Sequence, residues 1–362
     1  MLKYILKRLG LSILILLGVS VILYFLIRLM PVDFIADKIN AMNQGGATIN
    51  ADAQINMYTA YGLDVPEGLA DEYIKQLEIE GRYDDIEAFK KEQGLELGEF
   101  RRMLKGYAGW LVKICKLDFG TSFKYGEPVV DVIKNNMGIS FMIALIATVF
   151  EFMIAIPLGI TAATHQYSVR DYVVTVLVMI GISLPSFFFG QVLKNLLAVQ
   201  TGWFYPSGLS NSTVDWSFWG QLLDYFRHLF IPILTVVILS IGGRMRMTRT
   251  NMLEVMNSDY IRTARAKGLK EKVVIYKHAF RNTLIPIVTS LAGLLPSLFS
   301  GAIITEQVFD LPGIGNIALK AMSAGDIPFI MGYNMFLALL SVIGVLLSDL
   351  MYVVVDPRVK LS

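Results

Sequence analysis

Long apolar segments dominate this 362-residue sequence and restrict the folds that are open to it. A membrane-spanning helix needs about 20 mostly apolar residues, because the lipid core is about 30 Å thick and offers backbone groups no partner. Six segments have this character, the fourth being short: roughly 9–30, 138–163, 172–199, 228–243, 284–304 and 329–355. Charged residues make up 17% of the chain and mean hydropathy is +0.55, whereas soluble domains carry about 25% charged residues. The sequence therefore predicts an all-α integral membrane protein with six transmembrane helices.

The side chains that carry most enzymatic and redox chemistry are scarce. Cys115 is the single cysteine, which excludes an internal disulfide and a thiolate metal cluster. The three histidines are widely spaced, and the sequence has no Gly-x-x-x-x-Gly-Lys-Ser/Thr loop to hold nucleotide phosphates. We expect this chain to have no catalytic residues, no metal, no cofactor and no nucleic-acid partner.

Charge is distributed unevenly among the segments that join the predicted spans. Residues 244–283 contain ten Lys or Arg against three acids, and residues 31–110 contain fifteen acids against eight bases. Loops rich in Lys and Arg stay on the cytoplasmic side of a membrane. The basic start MLKYILKR and the basic tail DPRVKLS follow the same rule, so we expect a multi-pass cell-membrane protein with both termini cytoplasmic. The first segment lacks a small-residue cleavage site and is expected to remain in place as a span.

The segment between the first two spans has the composition of a soluble domain. Helical periodicity and turn signals run through it, and an amphipathic interfacial helix is predicted near 107–116. We divide the chain into an N-terminal end with the first span (1–31), a mostly helical extracytoplasmic insertion (32–116) and a membrane domain with five spans (117–362). The insertion either docks an extracellular partner or decorates the membrane domain without a separable role.

The basic segment at about 250–283 is predicted to form two helices, near 251–266 and 270–281. Gly268 between them suits a left-handed helix stop, and Val273, Tyr276 and Phe280 would share one face of the second helix. A generic basic inner loop, or a patch for anionic lipid, explains the charge alone. A surface that docks a cytoplasmic protein also explains the two helices, the glycine and the interleaved alanines.

Several stretches, in the same order, resemble the permease subunits of peptide/nickel-type ABC importers, of the dipeptide/oligopeptide permease B kind. The matching stretches are MLKYILKRLG, LDFGTSFKYGEPVVDVI (117–133), EVMNSDYIRTARAKGL followed by HAFRNTLIP, VFDLPGIGNIALKAM (308–322) and SDLMYVVVDPRVK (348–360). The resemblance covers most of 1–31 and 117–362 and gives the insertion no family role. It implies the fold of a type I ABC importer permease with six transmembrane helices.

The resemblance also implies that the charged loop is a coupling helix held in a cleft of an ATPase subunit. Carried over position by position, its contact surface comprises Asp259, Tyr260, Arg262, Ala264, Arg265, Ala266, Lys267 and Gly268. ATP and Mg would be bound on two separate cytoplasmic ATPase subunits. A second homologous permease subunit, forming a heterodimer in the lipid bilayer, and an extracytoplasmic solute-binding protein would complete an importer. Its cargo would be di- or oligopeptides, with nickel chelates or another small solute left open.

The fifth predicted span carries Gly293, Ser297 and Gly301 at four-residue spacing. Small residues at this spacing favour close packing of membrane helices, and the same face, with Ser300, is also compatible with a translocation pathway. Prolines are expected to kink spans two to four; they are Pro157, Pro185 and Pro232. In the resembling family, the segment after span five helps to form an extracellular gate.

Glu151 lies near the middle of span two, where an ionised carboxylate is costly and is usually functional. The resembling family usually has a small or apolar residue at this position. We interpret Glu151 either as a protonated carboxyl bonded to a neighbouring helix or as a pathway residue. Together with Asp349 in span six it supports an alternative class, a proton-coupled secondary transporter, although the sequence shows no inverted repeat. A membrane anchor without transport would leave the kinked spans and the charged loop unexplained.

Overall fold

The structure, a computed structural model, describes residues 2–28, 34–44, 49–61, 63–95, 98–210, 217–291 and 293–355. Most of these residues are helical. The described ranges contain one isolated antiparallel bridge, Thr121 with Pro128, and no longer β structure. The predicted all-α fold class is therefore confirmed. The tail DPRVKLS lies outside the described residues.

The described residues before position 117 form a long first helix and five shorter ones. Their bounds are α1 Leu2–Arg28, α2 Phe34–Gln44, α3 Ala51–Ala60, α4 Glu67–Ile79, α5 Tyr83–Gln93 and α6 Glu99–Cys115. The mostly helical character predicted for the insertion is confirmed by α2 to α6. The helix predicted near 107–116 is the C-terminal half of α6, which begins eight residues earlier.

The remaining described residues are again helical. The bounds are α7 Val129–Thr164, α8 Val169–Ser183, α9 Ser186–Leu193, α10 Phe218–Met256, α11 Asp259–Ala266, α12 Glu271–Val273, α13 Arg281–Leu291, α14 Leu294–Ser300, α15 Ile303–Val308, α16 Ile314–Ser323 and α17 Ile327–Val355. Two π-helices, Lys194–Gln200 and Val274–Phe280, continue α9 and α12 without a break.

Among the described residues, four helices are long and apolar enough to cross a membrane: α1, α7, α10 and α17. A fifth span is obtained if α8 and the helix from Ser186 to Gln200 count as one, although they are bent by 102°. Pro185 lies in that bend, as predicted, because it ends α8 and starts α9. Pro157 and Pro232, in contrast, lie inside continuous helices.

The predicted fifth span, 284–304, differs from the expectation. The described residues place two shorter helices there, α13 and α14, on either side of position 292, which lies outside the described residues. Gly301 then leaves the helix with φ of +73°, a conformation that glycine adopts without the usual steric cost. The three small residues of this segment therefore do not form a stripe along one helix.

The helices of the membrane core are longer than hydropathy indicates. Helix α7 covers 129–164 where 138–163 was predicted, and α10 covers 218–256 where 228–243 was predicted. Hydropathy detects the apolar middle of a helix, whereas backbone hydrogen bonds continue into polar flanking turns. Helix α10 in particular carries its polar C-terminal third past Arg244, which the sequence analysis had placed in a loop.

By internal contacts the described chain forms two compact units. Unit A comprises 9–134 and 320–338, and unit B comprises 1–8, 135–319 and 339–362. This division reflects packing, whereas the predicted division at 31 and 116 concerns membrane topology and stays a prediction.

Unit A is held together by an apolar cluster within the insertion and by one buried acid. The cluster includes Ile35, Tyr58 and Phe89, all at most 7% exposed. Asp326 is fully buried and accepts hydrogen bonds from the backbone N–H groups of Phe123 (3.1 Å) and Phe329 (3.2 Å). The same carboxylate therefore caps the start of α17 and fixes the loop that precedes α7.

Unit B is built around α10, which packs against α8, α9 and α13. Glycines bring these helices together. A Cβ at Gly159 of α7 would lie 2.9 Å from the backbone oxygen of Met245, and one at Gly242 of α10 would lie 2.1 Å from Cδ1 of Ile182. Close approach at small residues is typical of helices packed in membranes. Of the two glycines predicted to permit close approach, Gly293 has its nearest neighbour 4.0 Å from the Cβ position, whereas a Cβ at Gly301 would lie 2.8 Å from the backbone nitrogen of Gly315.

Candidate functional site

The charged loop folds as a short helix with one buried face. In α11, Ile261 is fully buried and Ala264 is 6% exposed, and both pack in a cluster with Met252 and Val274. The three-residue spacing places both on one side of a helical turn. The sequence analysis put Ala264 on the contact surface, and this was wrong, because its methyl group faces the protein's own core.

The other proposed contact residues lie on the opposite, exposed side of the loop. Those with exposed positions are Asp259, Tyr260, Arg262, Arg265, Ala266, Lys267 and Gly268. They combine one acid, three cations, an aromatic ring and two small residues. Such a surface can make polar contacts, and its small residues let a partner approach the backbone closely. Whether a partner binds here stays a prediction.

Gly268 ends α11 in the left-handed conformation predicted from the sequence, with φ of +73°. The helix end is closed by a hydrogen bond from the Gly268 N–H to the Arg265 carbonyl, at 2.9 Å. Apart from its two chain neighbours, no atom of the described residues lies within 4 Å of the position that a Cβ would take. The demand for glycine here therefore comes from the backbone conformation and not from crowding.

Two side-chain contacts brace the loop. The Arg265 guanidinium donates to both carboxylate oxygens of Glu271, at 2.8 and 3.3 Å, across the Gly268 turn, and these hydrogen bonds raise the pKa of Arg265. Nδ2 of Asn282 donates to the Tyr260 hydroxyl at 3.1 Å. Because the Arg265 and Glu271 side chains are 41% and 55% exposed, solvent screening limits the strength of that pair. The contacts hold α11 in a defined orientation to the helix that follows.

The second helix of the loop has a different buried face from the one predicted. Its buried residues are Val274 and Ala279, and Tyr276 is 58% exposed. The cause is the π-helix Val274–Phe280, in which hydrogen bonds join residues five apart and so bring positions i and i+5 to one side. The predicted face of Val273, Tyr276 and Phe280 assumed α-helical spacing and was wrong. The predicted first helix, 251–266, is also interrupted, since α10 ends at Met256 and extended Ser258 precedes α11.

Unit B contains a cavity of about 470 Å³ between α7, α10 and the α14 region. Two stripes at helical spacing supply most of its wall. The α7 stripe is Ser140, Ile143, Ala144, Thr148 and Glu151, and the α10 stripe is Val236, Ser240, Gly243, Arg244 and Met247. Leu294, Ser297, Gly301 and Ala302 complete the lining. Hydroxyl groups and one pair of opposite charges therefore lie in a wall that is otherwise apolar.

The predicted pathway residues divide into two groups. Glu151, Ser297 and Gly301 line the cavity. Gly293 instead lies at the N-terminal cap of α14, and the Ser300 hydroxyl donates to the Ser297 carbonyl at 3.2 Å. Neither is part of the cavity lining, because α14 is too short to present all four small residues to one side. Arg244, Ser240 and Thr148 belong to the lining and were missed. Thr148 lies three residues before Glu151, a helical spacing that was the available signal, whereas nothing in the sequence pointed to Ser240 and Arg244 on α10.

Glu151 is paired with an arginine. Nε of Arg244 donates to Glu151 Oε1 at 2.9 Å, and Nη1 of the same guanidinium donates to the Ser290 hydroxyl at 2.7 Å. The guanidinium also lies over the Phe152 ring, 4.6 Å from its centroid. Arginine stays protonated in proteins, so the partner of Glu151 carries a positive charge. The predicted hydrogen bond between Glu151 and a neighbouring helix is therefore present, with Arg244 of α10 as its donor.

A second acid closes one end of the cavity wall. Glu306 is 1% exposed, accepts from the Ser140 hydroxyl at 2.7 Å, and accepts from the backbone N–H of Asn316 at 2.9 Å. A Cβ at Gly313 would lie 2.4 Å from Glu306 Oε2, so the glycine-rich turn wraps directly around the carboxylate. Glu306 was not predicted as a site residue. The available signal was an acid a few residues before Pro-Gly-Ile-Gly, because glycines at such a turn allow the backbone to approach a buried group closely.

Asp349, the other acid placed within a span, also has a basic partner. Its Oδ2 lies 3.1 Å from Nε of Arg8 at the start of α1. Both intramembrane acids on which a proton-coupled mechanism would depend are therefore engaged by arginines. These pairs weaken the argument for that class, because the sequence shows no further series of embedded ionisable groups.

Comparison with known proteins gives the relationships of the chain. Residues 155–361 match the family described as the binding-protein-dependent transport system inner membrane component. An oligopeptide transport system permease protein, AppB of Bacillus subtilis, is 36% identical over 76% of this chain and 85% of its own. An oligopeptide transport system permease protein, OppB of Mycobacterium bovis, is 33% identical over 74% of this chain and 83% of its own.

Two further matches concern the whole length and the fold. A putative peptide permease protein of Brucella ovis is 31% identical over the full length of both chains, so a segment aligned with 32–116 is not unique to this protein. An inward-facing structure of the MetNI methionine ABC transporter aligns with a TM-score of 0.48 and 16% identity, covering 63% of this chain and 97% of that one. The sequence matches decide the assignment: this chain belongs to the family of inner membrane components of binding-protein-dependent transport systems.

Proposed function

We propose that this chain is the permease subunit of an ATP-driven ABC importer and forms the translocation pathway for di- or oligopeptides. The observation that carries the proposal is the cavity, which joins two polar-lined stripes of α7 and α10 within the membrane unit. Relatives with peptide transport in their names, at 31–36% identity, support peptides as cargo. Nickel chelates or another small solute are the alternative cargo.

The exposed face of α11 would bind an ATPase subunit on the cytoplasmic side. This proposal is supported by the defined conformation of α11. Ile261 packs in the apolar cluster, Gly268 ends the helix, and the ion pair between Arg265 and Glu271 stabilises the turn that follows. A stiff, exposed helix can transmit a displacement, whereas a mobile loop would absorb it. ATP and Mg would reside on two such ATPase subunits. A second homologous permease and an extracytoplasmic solute-binding protein would complete the importer.

The orientation follows from charge. The basic residues of 244–283 and the Lys and Arg of the first helix would lie on the cytoplasmic side. Both termini would then be cytoplasmic and the acidic insertion extracytoplasmic. Labelling of Cys115, which is exposed in α6, by an impermeant maleimide on intact cells supports this orientation; protection until the membrane is permeabilised contradicts it.

Cysteine crosslinking tests the docking face with a control two residues away. In a Cys115→Ser background, Ala266→Cys places a thiol on the exposed side of α11, and Ala264→Cys places one on the buried side. A short bifunctional reagent should join position 266, and not 264, to a co-purifying ATPase. Uptake that continues while neither position ever reaches an ATPase would contradict the proposal.

Uptake in cells separates the energy sources and the cargo classes. Labelled dialanine should accumulate with ATP present after the proton gradient is collapsed, and accumulation should stop when ATP is depleted. Loss of uptake with the gradient alone, at unchanged ATP, would favour proton coupling. Uptake of nickel chelates without uptake of any short peptide would assign the alternative cargo.

A further inference from the structure

The Arg244–Glu151 pair uses only part of its hydrogen-bonding capacity. A guanidinium has five N–H donors, and a carboxylate has about four lone-pair sites. The Arg244 Nε and Nη1 atoms bond to Glu151 Oε1 and to Ser290. Among the described residues, neither Arg244 Nη2 nor Glu151 Oε2 has a hydrogen-bond partner. Both side chains line the cavity, so one cationic donor group and one anionic acceptor are available side by side within it.

The side chains of Arg244 and Glu151, which carry these unused donor and acceptor atoms, are mostly buried. The Glu151 side chain is 9% exposed and the Arg244 side chain 16% exposed. Arg244 Nη2 and Glu151 Oε2 are nevertheless not fully enclosed, so both atoms can be reached from the cavity. A ligand that supplies both a donor and an acceptor would satisfy the remaining atoms.

A second ion pair of unit B, between Arg249 and Asp171, provides a comparison for the Arg244–Glu151 pair. Arg249, one turn further along α10, donates to both oxygens of Asp171, at 2.9 and 2.8 Å. Asp171 also accepts from the Tyr167 N–H at 3.0 Å. Neither residue lines the cavity. Both carboxylate oxygens of Asp171 are therefore occupied away from the cavity, whereas Glu151 accepts through Oε1 and lines the cavity.

We propose that Arg244 and Glu151 bind the two charged ends of a zwitterionic peptide or amino acid inside the permease. The carboxylate would bind at Arg244 Nη2 and the ammonium group at Glu151 Oε2. Because the pair and the ligand are each neutral overall, binding brings no net charge into the low-dielectric interior. A solute with net charge, such as an anionic metal chelate, would leave one charge uncompensated. The inference rests on the proposed transport function and narrows its substrate class.

The dimensions of the cavity wall agree with a short peptide. From Ser140 to Glu151 the α7 stripe covers eleven residues, which is about 16 Å along a helix. An extended peptide covers about 3.4 Å per residue. The hydroxyl groups of Thr148, Ser240 and Ser297 along this wall can bond to peptide groups. The wall is long enough for a di- or tripeptide, and a dipeptide would bind in a bent conformation so that both of its charged ends reach the pair.

The test is binding to the permease without a solute-binding protein, whose own selectivity would hide that of the cavity. The full chain, with the subunits that co-purify, is placed in lipid nanodiscs. The probes are labelled dialanine, N-acetyl-dialanine and dialanine amide, which remove the ammonium and the carboxylate charge in turn. For wild type we expect each capped probe to bind at least about tenfold more weakly than dialanine, the usual cost of losing one charged hydrogen bond.

Variants then assign each end of the ligand to a residue. Glu151→Gln should abolish the penalty for N-acetylation and keep the penalty for amidation, and Arg244→Gln should do the reverse. Arg244→Lys keeps the charge and should preserve the amidation penalty. Asp171→Asn is the matched control, since it weakens an ion pair that does not line the cavity, and it should leave the order of the three probes unchanged. Size-exclusion profiles show which variants fold.

The outcomes that overturn the inference are distinct from those that overturn the function. Equal binding of all three probes to wild type, or binding of none, contradicts the site without any variant. A parallel loss of all three probes in Glu151→Gln and Arg244→Gln, in folded protein, indicates a structural role only. If ATP-dependent uptake of dialanine continues in cells in either case, the transport function stands and the site assignment alone fails.

Discussion

Gly242 and Ile182 are in contact at the crossing of α10 and α8, where a Cβ on the glycine would lie 2.1 Å from the isoleucine Cδ1. Residue 242 lies next to Gly243, where a Cβ would have no neighbour within 4 Å. Two adjacent glycines in one helix therefore have opposite tolerance for a side chain. The first sets the distance between two membrane helices, and the second leaves room in the cavity wall.

Gly242→Val should destabilise unit B by about 1–3 kcal/mol, the usual cost of overpacking a tight interior. The valine methyl groups would have to displace Ile182 or move α8. Thermal unfolding of purified protein measures the effect, and lower membrane levels should accompany it. Gly243→Ala is the control and should unfold at or above the wild-type temperature. Equal behaviour of both variants would contradict the packing at this crossing.

Gly268→Val should abolish most uptake while the protein stays in the membrane. A β-branched residue at φ of +73° is strained by roughly 1–2 kcal/mol, and relief of the strain would unwind the end of α11. Because Asn tolerates the left-handed region better, Gly268→Asn should retain more uptake than the valine variant. Uptake divided by membrane level is the measured quantity. Full uptake by the valine variant would count against a rigid α11.

Asp326→Ala should loosen unit A. The carboxylate bonds to the backbone N–H groups of Phe123, Lys124 and Phe329 and to the Ser122 hydroxyl, and all of these donors would lose their acceptor. Stranded buried donors cost about 1–3 kcal/mol each, so faster proteolysis near 119–126 is expected. Asp259→Asn, whose side chain is 99% exposed, is the control and should be digested like wild type.

Glu306→Gln should destabilise unit B by about 2–3 kcal/mol, because it replaces an acceptor of charge-assisted hydrogen bonds with a neutral amide. One half of that amide would present N–H groups to donors, such as Ser140 and the Asn316 N–H, that now find a carboxylate oxygen. A lower unfolding temperature at neutral pH is the expected result. Glu254→Gln, at an exposed position of α10, should leave it unchanged, and equal unfolding temperatures in all three proteins would exclude the role assigned to Glu306.

Structural features that depend only on neighbouring residues in the chain were predictable from the sequence. Apolar runs located α1, α7, α10 and α17, and the isolated glycine at 268 located a left-handed turn, because both depend on neighbouring residues only. Boundaries were less accurate, since polar turns of α10 continue the helix beyond the apolar run. The π-helix at Val274–Phe280 left no mark in the pattern, and its five-residue hydrogen bonds moved the buried face from Tyr276 to Ala279.

The candidate site was predicted in part. Glu151 was recognised because a charge among apolar residues is visible in one dimension. Its partner Arg244 was missed, since 93 positions separate them and the arginine was counted with a basic loop. Ala264 was misplaced for a related reason. Carrying over the contact residues of a resembling family position by position indicates which residues form the helix, but not which side of that helix faces the protein's own core.

The continuous helical segment from Glu271 through the π-helix to Leu291 connects the α11 loop to the ion pair in the cavity. It is 21 residues long, or about 30 Å at helical rise, and it includes the π-helix and Pro286. Its first turn is tied to α11 by Glu271, and its last turn holds Ser290 against Arg244. One helical segment therefore contacts both α11 and the guanidinium of Arg244. Solute binding by the ion pair and the conformational change that releases the solute would then depend on the same helical segment.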